Sequence, residues 1–332
     1  MSDGSGRTAL ILGANGRFGL AAAQAFDAAG WRVLAQVRRE AAAGMPPNAE
    51  VLGWSLDRPD ELARAAAGAT VLVHALNPPY TRWDKDVLPM ARAAMDLAQR
   101  VGARFILPGN VYNFGAGMPP VLREDTPQRP TTNKGRIRVE LERELQARCA
   151  RGLAAIVLRA GDFFGGGSGS WFDLVIAKSI GAGKVVYPGP LEVMHAWAYL
   201  PDLARACVAV AAERGLPAFT PLHFPGIALT GRQMVDAIEA AATTMGLRPR
   251  AGYRQGTMPW ALIRTGGLFV PMWREIAEMS YLWEVPHALD GSNLRNAVGD
   301  LPSTPLDEAV RVALMALPES ARMPSLERPT GH

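Results

Sequence analysis

The sequence comprises 332 residues, 48% of them hydrophobic and 20% charged, which predicts a globular chain with one large domain or a domain and an appended lobe. The net charge of +4 comes without a polybasic run, so we expect neither nucleic acid nor a membrane among its partners. The two cysteines fit no metal-binding pattern, and neither a signal peptide nor a membrane-spanning apolar run is visible, so we expect a cytoplasmic protein without a metal.

Short apolar runs alternate with helical patterns along the first half of the chain. Their near-continuous apolar character is typical of parallel strands that are buried on both faces. We therefore predict an α/β fold, a doubly wound parallel sheet (Rossmann) with a smaller, mostly C-terminal substrate lobe. The predicted strands are TALILG (8–13), WRVLAQV (31–37), EVLGW (50–54), TVLVHAL (70–76), RFILPGN (104–110) and LAAIVLRAG (153–161).

The predicted domain boundaries follow changes in composition. The Rossmann domain is placed at residues 1–164 plus 195–220, and the substrate lobe at 165–194 plus 221–322. The run GGGSGS (165–170) lies at the first boundary, where a lid over the site could hinge. The last ten residues, 323–332, are predicted to be a loose tail.

A glycine-rich segment, GANGRFG, lies between the first predicted strand and the first helix. Gly13, Gly16 and Gly19 are spaced three apart. Glycines at such a turn let backbone N–H groups approach a pyrophosphate, and the helix N-terminus adds its positive dipole end. In this context the segment predicts a dinucleotide site rather than a merely structural turn.

The residues after the second strand suggest which dinucleotide binds. An NAD site usually has an acidic residue there, whereas this chain has Arg38 and Arg39, and Arg17 in the glycine loop could join them. Guanidinium groups suit the 2′-phosphate of NADP(H). Two solvated arginines are the alternative, with Glu40 turning towards the ribose. We predict NADP(H) in preference to NAD(H).

The motifs together resemble the short-chain dehydrogenase/reductase superfamily, in its extended or atypical branch of NAD-dependent epimerase/dehydratase type. The similar segments are GANGRFG, LVHALNP (72–78), ILPGNVYNFG (106–115), VLRAGDFFGGG (157–167) and WAYLPDLARA (197–206). The resemblance implies a cofactor laid across the strand ends. It also implies that Asp57 lies near the adenine and that His74, Ala75 and Asn77 lie along the ribose and nicotinamide. With the glycine loop and the arginines, the candidate cofactor-binding residues are Gly13, Asn15, Gly16, Arg17, Phe18, Gly19, Arg38, Arg39, Asp57, His74, Ala75, Asn77 and Arg136.

The family's catalytic residues are changed in this chain. The family carries Tyr-x-x-x-Lys on the helix that begins near residue 133, often with a glutamate four residues beyond the lysine, and a serine or threonine after the fifth strand. An alignment on Pro130 and Glu140 places Thr132 at the tyrosine and Arg136 at the lysine, and Asn110 takes the place of the serine. Threonine cannot be tuned as an acid in the way that tyrosine is, and arginine exchanges no protons at ordinary pH. Carbonyl reduction by the usual mechanism is therefore not expected.

Most of the charge on this helix is predicted to lie at the surface. Lys134 could bind near the ribose, but we expect it on an exposed face that is stabilised by i,i+4 ion pairs. The residues of this face are Lys134, Arg138, Glu142, Glu144 and Arg148. The opposite stripe, Ile137, Leu141, Leu145 and Cys149, would dock on the sheet. Since the remaining faces are charged, we expect a monomer or a weak homodimer.

Other side chains could supply a proton or contact a substrate. Tyr112 lies at the carboxyl end of the fifth strand, where doubly wound sheets bind ligands, and Asp162 follows the sixth. His195, Trp197 and Tyr199 alternate along one strand and therefore share a face. Ordinary packing is the alternative for each of them.

Two kinds of function fit these observations. The first is an NADP(H)-dependent oxidoreductase acting on a small, hydrophobic molecule, with hydride transfer guided by Asn110 and a proton from Tyr112, solvent or the substrate. A conjugated C=C bond or an imine would suit such a site. The second is a non-catalytic NADP(H)-binding redox sensor or regulator. A nucleotide-sugar epimerase or dehydratase ranks third, because it needs the missing tyrosine.

Overall fold

The structure is a computed structural model that describes residues 6–247 and 252–322. The predicted tail, 323–332, lies outside these residues. The strands are β1 (Thr8–Leu12), β2 (Arg32–Gln36), β3 (Glu50–Leu52), β4 (Val71–His74), β5 (Arg104–Gly109), β6 (Val121–Leu122), β7 (Ala155–Arg159), β8 (Asp162–Phe164), β9 (Lys184–Tyr187), β10 (Met194–Tyr199), β11 (Phe219–His223), β12 (Ile227–Thr230), β13 (Arg254–Thr257) and β14 (Ala288–Leu289).

The helices complete the alternation that the sequence predicts. They are α1 (Arg17–Ala28), α2 (Pro59–Ala65), α3 (Trp83–Val101), α4 (Asn133–Cys149), α5 (Leu200–Ala212), α6 (Gly231–Thr244), α7 (Trp260–Gly266), α8 (Pro271–Glu278), α9 (Ser292–Val298), α10 (Leu306–Met315) and α11 (Glu319–Arg322). Short 3₁₀ turns at Tyr80–Arg82 and Tyr112–Phe114 follow β4 and β5.

Seven strands form one parallel sheet in the order β11-β7-β5-β4-β1-β2-β3. Side chains of β1 alternate between its two faces. Ala9 and Ile11 pack on the side of α1 and α5, while Leu10 and Leu12 pack on the side of α2, α3 and α4. Helices therefore cover both faces, which confirms the predicted doubly wound α/β fold.

The rest of the chain forms smaller sheets beside the carboxyl ends of the large one. β10 pairs in parallel with β8 and antiparallel with β12, while β9 pairs with β13 and β6 with β14. A separate hydrophobic cluster surrounds Trp197 and Trp283. The predicted boundary at residue 220 falls inside β11, and β10, which we expected in the Rossmann domain, pairs only with strands outside the large sheet. The interleaved chain path explains this difference.

No helix within the described ranges is both long and apolar enough to cross a membrane. The same residues contain no group of three or more His, Cys, Asp or Glu side chains that could hold a metal ion.

Candidate functional site

The glycine loop has a backbone that only glycine accommodates at two of its three positions. Gly13 has φ +77°, in the left-handed region, and a Cβ on Gly19 would lie 2.2 Å from the Gly13 carbonyl oxygen. Helix α1 begins at Arg17 with Gly16 as its N-cap, and no side chain accepts from its first N–H groups. These free N–H groups, at the carboxyl edge of the sheet, are suited to bind phosphate oxygens.

The segment that carries the two predicted 2′-phosphate ligands is fastened to this loop. Asn15 Nδ2 donates to the Glu40 carbonyl at 2.8 Å, and Ala42 N donates to Asn15 Oδ1 at 2.9 Å. Arg38 and Arg39 are exposed beside the loop, and neither forms an ion pair within the described ranges. Their guanidinium groups are therefore available to an anion. Asn15 here serves to position the loop.

Arg17 and Phe18 point elsewhere. The Arg17 guanidinium donates to the Gly165 carbonyl at 3.0 Å, so it reaches towards the 165–170 segment rather than towards Arg38 and Arg39. Burial lowers the pKa of Arg17, and its Nε has no hydrogen-bond partner in the described residues. Phe18 is buried against Phe163, with ring centroids 6.3 Å apart. The expectation that Arg17 joins the other two arginines is therefore corrected.

The residues implied for the adenine, ribose and nicotinamide line the same edge. Asp57 is exposed after β3, hydrogen-bonded only to Ser55 in this structure. His74 is buried at the end of β4, and desolvation, followed by the charge of Arg138, lowers its pKa to about 3. Its Nδ1 has no partner among the described residues. Ala75 is half-buried and its carbonyl lies beside Gly13, while Asn77 is exposed.

Helix α4 turns a different pair of residues inward from the pair that we predicted. Thr132 is the N-cap of α4, and its Oγ1 accepts from Gly135 N at 3.1 Å. Arg136 is exposed on the outer face. Lys134 is 1% exposed and Arg138 is half-buried, and these two side chains, four residues apart, face inward. Lys134 and Arg138 are therefore the inward-facing pair at the spacing of Tyr-x-x-x-Lys, whereas Arg136 of the predicted pair is exposed.

Glu142 supports this register. It is four residues beyond Arg138, as the family's glutamate is beyond its lysine, and its carboxylate is buried against Arg159 of β7, 2.6 Å from Nη2. Gln128 also donates to it, at 3.2 Å. The predicted solvated face is therefore wrong for Lys134, Arg138 and Glu142. Of the expected i,i+4 pairs on α4, only Arg148 with Glu144 forms. The apolar stripe of α4 is buried as predicted.

The buried Lys134 is held by acidic groups of another helix. Its ammonium forms ion pairs with Glu275 and Glu278 of α8, and it lies 5.2 Å from the centroid of the Tyr80 ring. Glu278 also accepts from the backbone N–H of Asn133. Helix α8, which has no fully buried residue, is thus fastened to the start of α4 by a buried cation.

Arg138 lies between the sheet edge and α3. Its guanidinium carbon is 5.1 Å from the Trp83 ring centroid, and Nη1 donates to the Pro108 carbonyl at 3.5 Å. Burial lowers the pKa of Arg138, and its Nε has no partner in the described residues. It therefore offers an unused donor close to the ends of β4 and β5.

Tyr112 lies at the end of β5, as predicted, but its surroundings disfavour ionisation. Its hydroxyl is 2.9 Å from that of Tyr80, which the sequence did not bring to attention. Burial, and then the neighbouring Tyr80 and Asp162, raise the pKa of Tyr112 well above 10. Asn110 Oδ1 accepts from Tyr112 N at 3.1 Å, which fixes the turn and leaves the Asn110 amide N–H groups to donate.

A carboxylate and a histidine meet on the opposite side of the cleft. Asp162 Oδ2 is 3.0 Å from His195 Nε2, and His195 Nδ1 is 3.3 Å from the Leu282 carbonyl. The imidazole stacks on Trp283 with centroids 4.3 Å apart and meets the edge of His287 at 4.6 Å. Burial lowers the pKa of His287 to about 4. His195 is therefore fully enclosed, while the Asp162 side chain keeps 13% exposure towards the cleft.

His195, Trp197 and Tyr199, the three rings predicted to share a strand face, have different surroundings. Trp197 is fully buried in the lobe cluster, and Tyr199 packs against Phe164, away from Asp162. Tyr187 and Tyr281, which the sequence did not indicate, instead have buried hydroxyls without partners among the described residues. The Asp162 carboxylate adds to the effect of burial in raising the pKa of both hydroxyls.

Comparison with known proteins agrees with this architecture. Several solved structures are similar over nearly the whole chain. MoeE5 in complex with UDP-glucose and NAD has a TM-score of 0.70 at 20% identity, covering 94% of this chain and 98% of its own. L-threonine dehydrogenase from Clostridium difficile has a TM-score of 0.72 at 16% identity, covering 95% and 98%. UDP-glucose 4-epimerase from Thermotoga maritima, solved with UDP-glucose, has a TM-score of 0.69 at 15% identity, covering 93% and 98%.

At these identities the likeness concerns the fold alone. No curated protein matches the chain. The model of the NAD dependent epimerase/dehydratase family, however, matches residues 9–218, which include the glycine loop, α4 and the Asp162–His195 pair. The chain therefore belongs to the NAD dependent epimerase/dehydratase family.

Proposed function

We propose that this protein is an NADP(H)-dependent oxidoreductase that acts on a small, hydrophobic molecule without the Tyr-x-x-x-Lys pair of its family. The observation that carries the proposal is the glycine loop, whose exposed helix N-terminus lies beside two unpaired arginines, Arg38 and Arg39. Gly19 lets α1 pack closely against the loop, since a Cβ there would lie 2.2 Å from the Gly13 carbonyl oxygen. None of the six tyrosines is followed by lysine four residues later.

The residues present fit a nicotinamide dinucleotide. The N–H groups at the start of α1 would bind the pyrophosphate, and Arg38 with Arg39 would bind the 2′-phosphate. When bound, the dinucleotide supplies or accepts a hydride. Asn110 and Arg138 would orient polar groups at the ends of β5 and β4, and Tyr112 would donate a hydrogen bond, since its raised pKa keeps it protonated. The rings of Tyr80, Trp83 and Tyr112 pack together beside these groups and make their surroundings apolar.

Cofactor binding is the first test. The dissociation constants of NADPH and NADH would be measured for the wild type, for Arg38→Ala/Arg39→Ala, and for Arg143→Ala, an exposed arginine on α4, as the control. We expect the wild type and the control to prefer NADPH, and the double variant to lose about tenfold or more of that affinity. An unchanged NADPH affinity in the double variant would refute the assignment of the 2′-phosphate site. Failure to bind either nucleotide would refute the enzyme reading altogether.

A non-catalytic NADP(H)-binding redox sensor is the second candidate. It is favoured by one observation, that the ammonium in the tyrosine position is engaged with Glu275 and Glu278. Tight, redox-selective cofactor binding without hydride transfer to any compound in a broad panel would support it. Turnover that is unchanged in Tyr112→Phe would instead support the oxidoreductase function and refute the role of Tyr112 in it. A nucleotide-sugar epimerase or dehydratase ranks below both, because Lys134 stands where such an enzyme needs its tyrosine.

We further propose a cytoplasmic monomer or weak homodimer. The apolar stripe of α4 is used within the chain, and the outer faces of α3 and α4 carry ion pairs such as Arg92 with Glu144, at 2.7 Å. Such a surface offers little apolar area to a second copy. Sedimentation velocity across a range of concentrations tests this assembly state.

A further inference from the structure

One carboxylate oxygen in the cleft has no partner. Asp162 uses Oδ2 for His195, and Oδ1 accepts no hydrogen bond from any described residue. The side chain is 13% exposed and Oδ1 is not fully buried, so a small ligand can reach it. The enclosed His195, stacked on Trp283, holds the carboxylate in place. The site therefore presents one free, oriented acceptor with a negative charge.

Four tyrosine hydroxyls lie within electrostatic range of the Asp162 carboxylate. Tyr80 and Tyr112 come from the Rossmann side, and Tyr187 and Tyr281 come from the lobe. The Asp162 carboxylate is close enough to help raise the pKa of all four hydroxyls, after burial. Trp283, stacked on the His195 ring that contacts Asp162, adds an aromatic ring near the carboxylate. A carboxylate with aromatic side chains nearby can bind an organic cation.

Two cations already lie near this cleft. Lys134 is neutralised by Glu275 and Glu278, and Arg138 faces the hydroxyls of Tyr80 and Tyr112 and the carboxylate of Glu142. Neither forms an ion pair with Asp162 in the described ranges. The negative charge of Asp162 is therefore left for a ligand or for His195.

We propose that the substrate is an iminium ion, or the amine related to it, whose N–H donates to Asp162 Oδ1. This inference rests on the proposed oxidoreductase function. Hydride from the nicotinamide adds to the iminium carbon, the C=N π electrons become the nitrogen lone pair, and the products are a neutral amine and the oxidised cofactor. The nitrogen is protonated before hydride arrives, so no acid is needed in the tyrosine position. This accounts for a reductase site in which Lys134, Arg138 and Asn110 stand where the family has tyrosine, lysine and serine.

A matched pair of substrates tests the proposal. 3,4-Dihydroisoquinoline is a cyclic imine, and α-tetralone is a ketone with the same fused rings. With NADPH we expect kcat/KM for the imine to exceed that for the ketone by about tenfold or more. Asp162→Asn should lower the value for the imine by about tenfold or more, whereas Asp84→Asn, an exposed aspartate on α3, should leave it unchanged. Preference for the ketone, or an unchanged rate in Asp162→Asn, would overturn it.

Ligand binding gives a readout that does not depend on turnover or on the variant. 1,2,3,4-Tetrahydroisoquinoline is cationic at neutral pH, and isochroman is the neutral ring with oxygen in place of nitrogen. Calorimetry on the wild type, with and without NADP⁺, should show the amine binding about tenfold or more tightly. Equal affinities, or no binding of the amine, would refute the iminium assignment even if NADPH binds. Selective binding of the amine without reduction of any compound would instead sustain the ligand class and refute the oxidoreductase function.

Discussion

Glu142 and Arg159 form a bidentate, buried ion pair that joins α4 to β7. Arg159 Nε lies 3.2 and 3.3 Å from the two carboxylate oxygens, and Nη2 lies 2.6 Å from Oε2. The guanidinium also contacts His223 Nε2 at 3.2 Å. Because Glu142 must face the sheet to make these bonds, the residues one and two turns before it, Arg138 and Lys134, face the same way. The pair thereby fixes which side of α4 looks into the cleft.

Removing the arginine of this pair should be costly. Arg159→Met leaves the Glu142 carboxylate buried without its partner, and we expect the free energy of unfolding to fall by about 3 to 5 kcal/mol. Arg143→Met, on the exposed face of the same helix, should change it by less than about 0.5 kcal/mol. Denaturant unfolding measures both. Similar small losses in the two variants would contradict the structural role of the pair.

The glycine loop makes a prediction about cofactor affinity. In Gly19→Ala the new methyl group would lie 2.2 Å from the Gly13 carbonyl oxygen, so the loop must move. We expect NADPH affinity to fall by about tenfold or more, because the N–H groups of the loop and helix no longer converge on the pyrophosphate. Gly53→Ala, where no atom lies within 4 Å of the added Cβ, is the control. Calorimetric titration measures the NADPH affinity of both variants. Equal affinities would show that the glycine loop is a structural turn and not part of the cofactor site.

Lys134 is expected to hold α8 in place. Lys134→Met removes the partner of Glu275 and Glu278, whose side chains are 17% and 23% exposed. We expect a loss of about 1 to 3 kcal/mol in stability and faster hydrogen exchange across residues 271–278. Arg136→Met, two residues away and exposed, should leave the exchange of α8 as it was. Hydrogen exchange followed by mass spectrometry measures the protection of α8 in both variants. Equal protection would show that Lys134 does not hold α8 in place.

The buried His223 is expected to make the stability of the protein depend on pH. Burial, then the charge of Arg159, lowers its pKa to about 4, so the folded protein holds it neutral. As pH falls through about 6.5, the unfolded chain binds a proton that the folded chain does not. Above about pH 6.5 this difference in proton binding costs the folded protein no stability. Between about pH 6.5 and pH 4 it lowers the free energy of unfolding by about 3 kcal/mol in total. His74 and His287, whose pKa values are about 3 and about 4, act in the same direction.

The test is thermal unfolding between pH 7.5 and 4.5. His223→Gln cannot take up the proton, so its stability should be lower at pH 7.5 but should fall less steeply on acidification. Parallel curves for the two proteins would show that His223 does not contribute.

The sequence predicted six of the seven strands of the large sheet, because the evidence for those six is local, and it did not predict β11. The strands β1, β4 and β5 each contain a short apolar run that is buried on both faces, which is the pattern of a strand inside a parallel sheet. The glycine loop was equally accessible, since it depends on spacing within seven residues. The smaller sheets were not, because β6 with β14 and β9 with β13 pair residues far apart along the chain.

The register of α4 shows why the rest of the site was harder to predict. Charged residues at Lys134, Arg138 and Glu142 are at the spacing of a solvated face, and only their distant partners show that they point inward. Those partners, Glu275, Glu278 and Arg159, lie up to 144 residues away. One local signal was available, because Lys134, Arg138 and Glu142 are spaced four residues apart, with the glutamate last. Choosing Glu142 rather than Glu140 for the alignment would have given the observed register.

The hydrogen bond from Arg17 to the Gly165 carbonyl bears on the order of events during turnover. It connects the loop expected to receive the pyrophosphate with the segment that leads into the substrate lobe. A phosphate arriving at the start of α1 would draw on the same guanidinium, so the 165–170 segment should respond to the nucleotide before any substrate arrives. We therefore expect a compulsory sequence in which nucleotide enters first and leaves last. Product-inhibition patterns would then show the oxidised nucleotide competing with the reduced one, but not with the second substrate.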